Sequence, residues 1–306
     1  MSDAKPLFGG VNAAVLTPQK DDLSPNLGAM VKHCQWLLDN GCDGLGILGT
    51  TGEANSFSVG ERIDIIEAVV NGGISPDRIM PGTGCCSITE TVELTRAALA
   101  VGAKGVLMLP PFYYKNPSDD GLFAYFSEVI ERIGDAKLKI YVYHFPQMSA
   151  VPFTMDLLGR FRDAFPDTIV GMKDSSGDFE NMKAAAQNFP GFEVYTGSDE
   201  FLVPLMRAGG AGCITAAANI CCAVSARAFA NRDNAEGDKL QGILTDVRKV
   251  TTSVPPISGL KEVMARHTGS AGWRNMRAPW RPLDAAKADD YMRKLGQTGL
   301  ELPKAA

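Results

Sequence analysis

The chain has 306 residues, 45% of them hydrophobic and 21% charged, with a formal net charge of −5 at pH 7. This balance argues against a general affinity for nucleic acid or anionic membranes, and no apolar run reaches the ~18 residues of a membrane-spanning helix. The N-terminus lacks a basic-then-apolar signal pattern, and the seven cysteines have no zinc or disulfide spacing. We therefore expect a cytoplasmic protein with reduced thiols and no metal site.

Short apolar runs alternate with amphipathic segments through the first two thirds of the chain. The predicted strands are residues 11–16, 43–48, 79–81, 104–109, 138–143, 168–173, 193–196 and 212–215. Ser24 followed by Pro25 predicts the N-terminus of the first helix, which ends at Gly41. Capping boxes at Ser58 and Ser87 predict the start of the next two helices. Further helices are predicted over residues 122–133, 179–188 and 201–208.

The number and order of these elements indicate the fold class. Eight strands alternating with helices, at roughly 30 residues per repeat, predict a closed (β/α)8 TIM barrel rather than a doubly wound open sheet. After Ala216 the pattern is all-helical, over residues 225–232, 236–250 and 257–267. We expect the barrel to occupy residues 1–220 and a C-terminal helical region, residues 221–306, to pack on it.

The sixth predicted strand, TIVGMKD at residues 168–174, ends abruptly in Lys173. A lysine there lies at the carboxyl end of a buried parallel strand, where α/β folds keep their chemistry. Loss of hydration disfavours the charged amine, and a neutral amine can condense with a ketone to form a Schiff base. The alternative, which this stretch alone favours, is a lysine that begins the next loop and points to water.

Other polar side chains fall at the same end of the predicted strands. Thr50 and Thr51 follow the second strand, Tyr114 follows the fourth, and Tyr143 ends the fifth. Barrel active sites are assembled in this way from several strand ends. Taken singly, the threonines fit an ordinary turn between glycines, and the tyrosines fit packing aromatics. His144 comes one residue after Tyr143, so we expect it to face away from the barrel interior.

Seven motifs in one order carry a resemblance to a known family. They are G-T-T-G-E at 49–53, P-P-F-Y-Y at 110–114, Y-H-F-P at 143–146, G-M-K-D-S-S-G-D at 171–178, T-G-S-D-E at 196–200, G-C-I-T-A-A-A-N at 212–219 and R-A-P-W-R-P-L at 277–283. Together they resemble the dihydrodipicolinate synthase / N-acetylneuraminate lyase family of class I, pyruvate-handling aldolases. The resemblance extends from about Gly9 to Leu283.

The resemblance implies catalytic roles for particular residues. Lys173 is implied to form the Schiff base with the keto acid, and Thr50 and Thr51 to bind the carboxylate of that acid. Tyr143 is implied to move protons at the reacting carbon. Thr50 would link Tyr143 to Tyr114, which in this family crosses from a neighbouring subunit. The resemblance therefore implies a homo-oligomer, a dimer or a homotetramer, with Tyr114 shared across an interface.

The resemblance also bears on the substrate. Five further positions match residues that line the pocket or contact substrate in the family: the backbone of Gly197, the carbonyl of Ile214, and the residues Ser175, Asp199 and Glu200. For the last two, charge at a helix N-terminus is the alternative explanation. In strict dihydrodipicolinate synthases an arginine two residues after the Y-x-x-P proline grips the carboxylate of the aldehyde, whereas this chain has Met148. Because methionine cannot bind a carboxylate, we expect a hydroxylated or neutral aldehyde rather than aspartate semialdehyde.

The resemblance thus predicts a lyase that forms or cleaves a 2-keto acid through a pyruvate–lysine imine. Its partners would be pyruvate or a 2-keto acid and an aldehyde, and no metal or organic cofactor is expected because the lysine supplies the electron sink. Dihydrodipicolinate synthase in the strict sense and a 2-keto-3-deoxy sugar acid dehydratase are the alternatives within the family. A keto-acid sensor on the same barrel is the alternative of another class, although it would have no need of the whole proton relay.

Overall fold

The computed structural model describes residues 5–305. Its strands are β1 Gly10–Ala14, β2 Gly44–Gly46, β3 Val106–Met108, β4 Ile140–His144, β5 Ile169–Asp174, β6 Glu193–Thr196 and β7 Gly212–Thr215. All neighbouring pairs are parallel, in the order β2-β1-β7-β6-β5-β4-β3. Each of these strands overlaps one of the predicted strands.

Residues 79–83 close the sheet between β2 and β3. Ile79 forms a parallel bridge with Leu45 of β2, and Gly82 forms another with Leu107 of β3. A side chain at Gly82 would overlap the backbone that follows β2, so the segment passes too close for a regular strand with alternating side chains. The predicted (β/α)8 barrel is confirmed, but its third strand is an extended bridge rather than the regular strand predicted over 79–81.

Helices surround the sheet and follow β7. They are α1 Leu27–Asp39, α2 Val59–Asn71, α3 Ile88–Ala100, α4 Asp119–Ile133, α5 Pro146–Ser149, α6 Met155–Ala164, α7 Phe179–Asn188, α8 Leu202–Arg207, α9 Ala218–Ala230, α10 Ala235–Thr251, α11 Pro256–Thr268 and α12 Ala285–Gly296. The helices α5, α6 and α12 were not predicted. No helix between residues 5 and 305 combines the length and the apolar character needed to cross a membrane.

Helix starts depend on local capping. Ser58 forms both bonds of the predicted capping box, whereas Ser87 forms only the bond to the helix backbone. The prediction of Ser24 as the first N-cap is wrong. Asn26 caps α1 by accepting from the third amide of the helix at 3.1 Å, while the Ser24 hydroxyl donates to Asp22 at 2.6 Å. Asparagine and serine are comparable caps, so the geometry of the preceding loop decides between them.

The C-terminal helices meet the barrel at the carboxyl ends of its strands. Helix α9 runs across residue 220, where the sequence placed the end of the barrel, and Asn219 donates to the Ala14 carbonyl of β1 at 2.7 Å. Beyond α11, Arg277 forms an ion pair with Glu61 of α2 at 2.5 Å. Hydrogen bonding from Arg277 lowers the pKa of Glu61 to about 2. These contacts bring residues of the C-terminal region over the carboxyl ends of the barrel strands.

Candidate active site

A cavity of about 160 Å³ opens at the carboxyl ends of the strands. Seven of the residues singled out in the sequence line it: Thr50, Thr51, Tyr143, Met148, Lys173, Ser175 and Gly197. They lie at or just after the ends of β2, β4, β5 and β6. Parallel strands place their carboxyl ends at one face of a barrel, so residues from distant parts of the chain meet there.

Lys173 lies near the end of β5, and only 4% of it is exposed. It is in register with Tyr143 of β4 and Tyr195 of β6, so the three side chains share the inner face of the barrel. The Lys173 amine lies 4.2 Å from the centroid of the Tyr143 ring. Among residues 5–305 no carboxylate forms an ion pair with this amine. The structure therefore excludes the alternative in which Lys173 points to water.

Tyr143 is an ionisable neighbour of this lysine. Burial acts to raise the pKa of Tyr143, but the positive charge of Lys173 and hydrogen bonding from Thr50 and Ser175 outweigh burial. The pKa of the phenol consequently lies below its usual range. A phenol of lowered pKa gives up its proton more readily and can return it to a reacting carbon. Tyr143 also stacks on Phe145, with ring centroids 5.8 Å apart, which holds the phenol in place.

The turn that carries Thr50 and Thr51 has a strained backbone. It lies between Leu48 at φ 56° and Glu53 at φ 57°, a region that residues other than glycine seldom occupy. The Thr17 hydroxyl, in the segment that follows β1, donates to the Gly52 carbonyl at 2.8 Å and supports the turn. Strain of this kind persists only where surrounding contacts impose it, and it is concentrated at functional sites.

A buried ion pair imposes the conformation at the end of this turn. The side chains of Glu53 and Lys261 are both completely buried, and the Lys261 ammonium donates to the Glu53 carboxylate. The other Glu53 oxygen accepts from Gln19 at 3.1 Å, and Lys261 also donates to the Asn275 carbonyl at 2.8 Å. Burial lowers the pKa of Lys261, and Glu53 opposes that effect. The turn that carries Thr50 and Thr51 is thereby tied to α11.

We expect Lys261→Met to lower the free energy of unfolding by about 3–5 kcal/mol, because the Glu53 carboxylate would be left buried without its cation. The double variant Glu53→Gln/Lys261→Met should recover part of this loss, since it leaves no buried charge. Urea denaturation followed by circular dichroism measures both. The surface variant Lys249→Met, which removes a cation exposed on α10, serves as the control. A loss below ~1 kcal/mol in Lys261→Met would contradict a structural role for the pair.

Ser175 lies in close contact with Gly197, the residue that follows β6. Its amide donates to the His144 carbonyl at 2.8 Å, and the Gly197 amide donates to the Asp174 carbonyl at 2.6 Å. A Cβ at Gly197 would overlap the Ser175 hydroxyl, so glycine is required for this close approach. His144 itself accepts from the Phe153 amide at 3.0 Å, on the outer side of β4. Ser175 and not His144 therefore belongs to the cavity.

Four of the residues singled out in the sequence do not line the cavity. Tyr114 is 79% exposed and packs edge-on against the preceding tyrosine. Asp199 is completely buried and accepts from the Thr215 hydroxyl at 2.6 Å, and burial raises the pKa of Asp199. Glu200 is exposed, and the Ile214 side chain is buried in the apolar interior of the barrel. The acidic pair thus lies outside the cavity, with Asp199 engaged by β7.

Sequence reasoning missed a second group of lining residues: Phe145, Ala216, Arg248, Pro256, Ile257 and Trp280. Four of them come from α10, the start of α11 and the segment that follows α11. Trp280 falls inside the R-A-P-W-R-P-L motif, which could have drawn attention to it. Arg248 lies in an amphipathic helix without any motif, so no local signal marked it.

The site and the fold define a class of protein before any comparison. A (β/α)8 barrel has the features of an enzyme when a buried lysine, without an ion pair among residues 5–305, lies beside a tyrosine of lowered pKa at the carboxyl ends of the strands. Comparison with known proteins identifies the family. The chain belongs to the dihydrodipicolinate synthetase family, whose family model matches residues 7–298.

Sequence relatives agree with this assignment. The chain is 36% identical over 210 residues to an uncharacterized DapA-like lyase from Chloroflexus aurantiacus, covering 68% of this chain and 69% of that protein. It is 34% identical over 220 residues to a 4-hydroxy-tetrahydrodipicolinate synthase from Acidovorax sp. strain JS42, covering 72% of each. The family resemblance drawn from the seven motifs is confirmed, and the chain is a lyase of this family.

Solved structures agree as well. The chain matches dihydrodipicolinate synthase from Agrobacterium tumefaciens strain C58 with a TM-score of 0.88 at 30% identity, covering 95% of this chain and 99% of that one. It also matches a prophage protein of the dihydrodipicolinic acid synthase family from E. coli K12, in complex with pyruvate, with a TM-score of 0.87 at 26% identity. The second match covers 97% of this chain and 100% of that one.

Proposed function

We propose that this protein is a Schiff-base aldolase that forms or cleaves a 2-keto acid through an imine between pyruvate and Lys173. The observation that carries the proposal is the buried Lys173 amine, which forms no ion pair within residues 5–305 and lies 4.2 Å from the Tyr143 ring centroid. That two solved relatives are described as complexes with pyruvate supports this choice of keto acid. The partner in the reaction would be an aldehyde.

The reaction needs a nucleophile, an electron sink and a proton carrier, and this chain supplies all three. The Lys173 amine adds to the ketone carbon, and loss of water gives an iminium that withdraws electrons from the adjacent carbon. The Tyr143 phenol gives its proton to the hydroxyl that leaves as water, and the resulting phenolate takes a proton from that carbon. The enamine formed in this way makes the new bond to the aldehyde carbon. Protonation of the new alkoxide and hydrolysis of the imine release the product and the amine. Cleavage is the reverse sequence.

The remaining contacts follow from the residues that share the cavity. Thr50 and Thr51 would bind the keto-acid carboxylate with hydroxyl and backbone N–H donors. We further propose a cytoplasmic homo-oligomer, a dimer or homotetramer, in which Tyr114 completes the proton relay of a neighbouring subunit. The exposure of Tyr114 supports that role, because a large aromatic side chain 79% exposed is available for an interface. No metal or organic cofactor is required, since the iminium serves as the electron sink.

Borohydride trapping tests the proposal directly. The protein is incubated with pyruvate and borohydride, and the intact mass and the modified peptide are determined by mass spectrometry. We expect one reduced pyruvate adduct per chain, located on Lys173. An adduct on another lysine would overturn the assignment of the nucleophile. Binding of pyruvate to the folded protein without any adduct would instead favour a keto-acid sensor.

The strict 4-hydroxy-tetrahydrodipicolinate synthase activity is the second candidate, because several relatives carry that name. Met148 weighs against it. Met148 lines the cavity and is 55% exposed, so the position at which the family places its carboxylate-binding arginine does face the substrate space. An apolar thioether there offers no donor to the carboxylate of aspartate semialdehyde.

Installing the missing cation should change the preference for the aldehyde. We expect Met148→Arg to raise kcat/KM for aspartate semialdehyde by about 10-fold or more, because a charge-assisted hydrogen bond contributes about 1.5–3 kcal/mol. Coupled assays at saturating pyruvate measure this. Gln147→Arg places the same charge on the neighbouring exposed residue, which does not line the cavity. An equal gain in both variants, or none in Met148→Arg, would show that position 148 does not contact the aldehyde.

A further inference from the structure

Arg248 of α10 is a cation of the cavity that no motif marks. Of the residues that line the cavity, only Arg248 and Lys173 are cationic. Arg248 is half-buried. Its guanidinium donates no hydrogen bond to any group within residues 5–305, and it forms neither an ion pair nor a cation–π contact there. A guanidinium carries several donors in a fixed fork that matches a carboxylate, so this one is available to a ligand.

The surroundings of Arg248 favour an anion in the cavity. Met148, Ile257 and Trp280 line the same cavity and bring apolar surface to it. Apolar walls lower the local dielectric, which strengthens an ion pair formed between them. The charge of Arg248 acts to lower the pKa of Asp199. The Asp199 carboxylate nevertheless accepts its hydrogen bond from Thr215 of β7 and forms no ion pair with the guanidinium. The Arg248 guanidinium therefore has no carboxylate ion-pair partner within residues 5–305 and is open to an anionic ligand.

The position of Arg248 indicates which end of the ligand it meets. Lys173 and the Thr50–Thr51 turn arise from the barrel, whereas Arg248 arises from α10 in the C-terminal region. A keto acid bound as an imine to Lys173 with its carboxylate at the turn would extend its far end away from both groups. Apart from Lys173, the cationic residue that lines the cavity is Arg248.

We propose that Arg248 binds a carboxylate at the end of the second substrate remote from its aldehyde, and hence the terminal carboxylate of a dicarboxylic 2-keto acid. This inference rests on the proposed Schiff-base function. Under this inference, Arg248 of α10 binds the substrate carboxylate that Met148 cannot bind. The inference also replaces the neutral aldehyde expected from Met148 alone by an anionic one.

Two keto acids of equal chain length test the inference without knowledge of the natural aldehyde. 2-Oxoadipate and 2-oxohexanoate both carry the ketone and carboxylate that imine formation needs, and only the former has a terminal carboxylate. Borohydride trapping over a range of concentrations gives the half-saturation for each, with pyruvate as the reference. In the wild-type protein we expect 2-oxoadipate to half-saturate at a concentration about 10- to 100-fold lower than 2-oxohexanoate. The reason is that a charge-assisted hydrogen bond to the terminal carboxylate strengthens binding by about this factor.

Variants then assign the effect to Arg248. Arg248→Met should abolish the difference between the half-saturation concentrations of the two acids. Arg248→Lys, which keeps the charge but not the fork, should retain an intermediate difference. Lys249→Met removes an exposed cation from the same helix and should change nothing. Arg248→Gln replaces Arg248→Met if circular dichroism shows that the latter is not folded.

The outcomes separate this inference from the function on which it rests. Normal trapping of pyruvate with equal half-saturation by the two six-carbon acids would overturn the role of Arg248 alone. The same conclusion follows if the preference for 2-oxoadipate survives in Arg248→Met. Failure of the wild-type protein to trap any keto acid would overturn the Schiff-base proposal and this inference with it.

Discussion

Replacing Lys173 by methionine should abolish the reduced pyruvate adduct and lower kcat by on the order of 10⁴- to 10⁶-fold, as expected for removal of a catalytic nucleophile. Methionine keeps an unbranched side chain in the space between β4 and β6 but has no amine to attack the ketone. We therefore expect Lys173→Met to lower the reaction rate and to leave the fold intact. Trapping with borohydride and a steady-state assay with the aldehyde that turns over fastest measure the loss.

The stability of the same variant provides an independent test. Lys173 is buried without a carboxylate partner among the described residues, and burying an unpaired polar or charged group is unfavourable. We expect Lys173→Met to unfold at a temperature no lower than the wild-type protein, because stability is often sacrificed at active sites. Lys183→Met, which removes an exposed lysine paired with Glu180, should retain the adduct and the activity. Retained turnover in Lys173→Met would disprove the assignment.

Replacing Tyr143 by phenylalanine should slow the reaction by about 10²- to 10⁴-fold, the usual contribution of a positioned general acid–base group. The ring still packs on Phe145, but the hydroxyl that Thr50, Ser175 and Lys173 surround is lost. Since the Lys173 amine is retained, pyruvate should still form an adduct. The exchange of pyruvate methyl protons with deuterated water, followed by NMR, isolates the proton-transfer step and should slow by a similar factor.

A matched tyrosine provides the control for this variant. Tyr125 is also buried, but its hydroxyl bonds to Thr91 and to the Cys85 carbonyl, away from the cavity. Tyr125→Phe removes the same atom and should leave the exchange rate unchanged within about 2-fold. Unchanged exchange in Tyr143→Phe would rule out Tyr143 as the proton carrier, and loss of the adduct in that variant would give it a role in forming the imine instead.

The local signals of the sequence were sufficient for the barrel and for the centre of the site. Apolar runs at regular spacing located the strands, and the residue that ends each run marks its carboxyl end. Parallel strands then bring those ends to one face, which is why Thr50, Tyr143 and Lys173 share a cavity. Where local signals were weak or in competition, prediction failed. Asn26 and not Ser24 caps α1, since two good capping residues lie two positions apart.

Other features depended on contacts between distant residues. Residues 79–83 form a bridge because the backbones of β2 and β3 pass on either side of them. Both Asp199 and Lys173 lie near the carboxyl end of a strand, but Asp199 is turned toward Thr215 and is buried outside the cavity. Sequence position alone could not distinguish these two residues, because strand ends point some side chains to the site and others to the helices.

By itself, the sequence determined the fold class, the strand that presents Lys173 and the turn that presents Thr50, since each depends on hydrophobic periodicity and short-range turn chemistry. Only the tertiary structure decided that Arg248 lines the cavity. Its place on α10 is an ordinary position of an amphipathic helix, and what that position faces depends on how the C-terminal helices pack across the barrel. Packing between distant segments leaves no local pattern, so the residue proposed to select the second substrate is visible only in the folded chain.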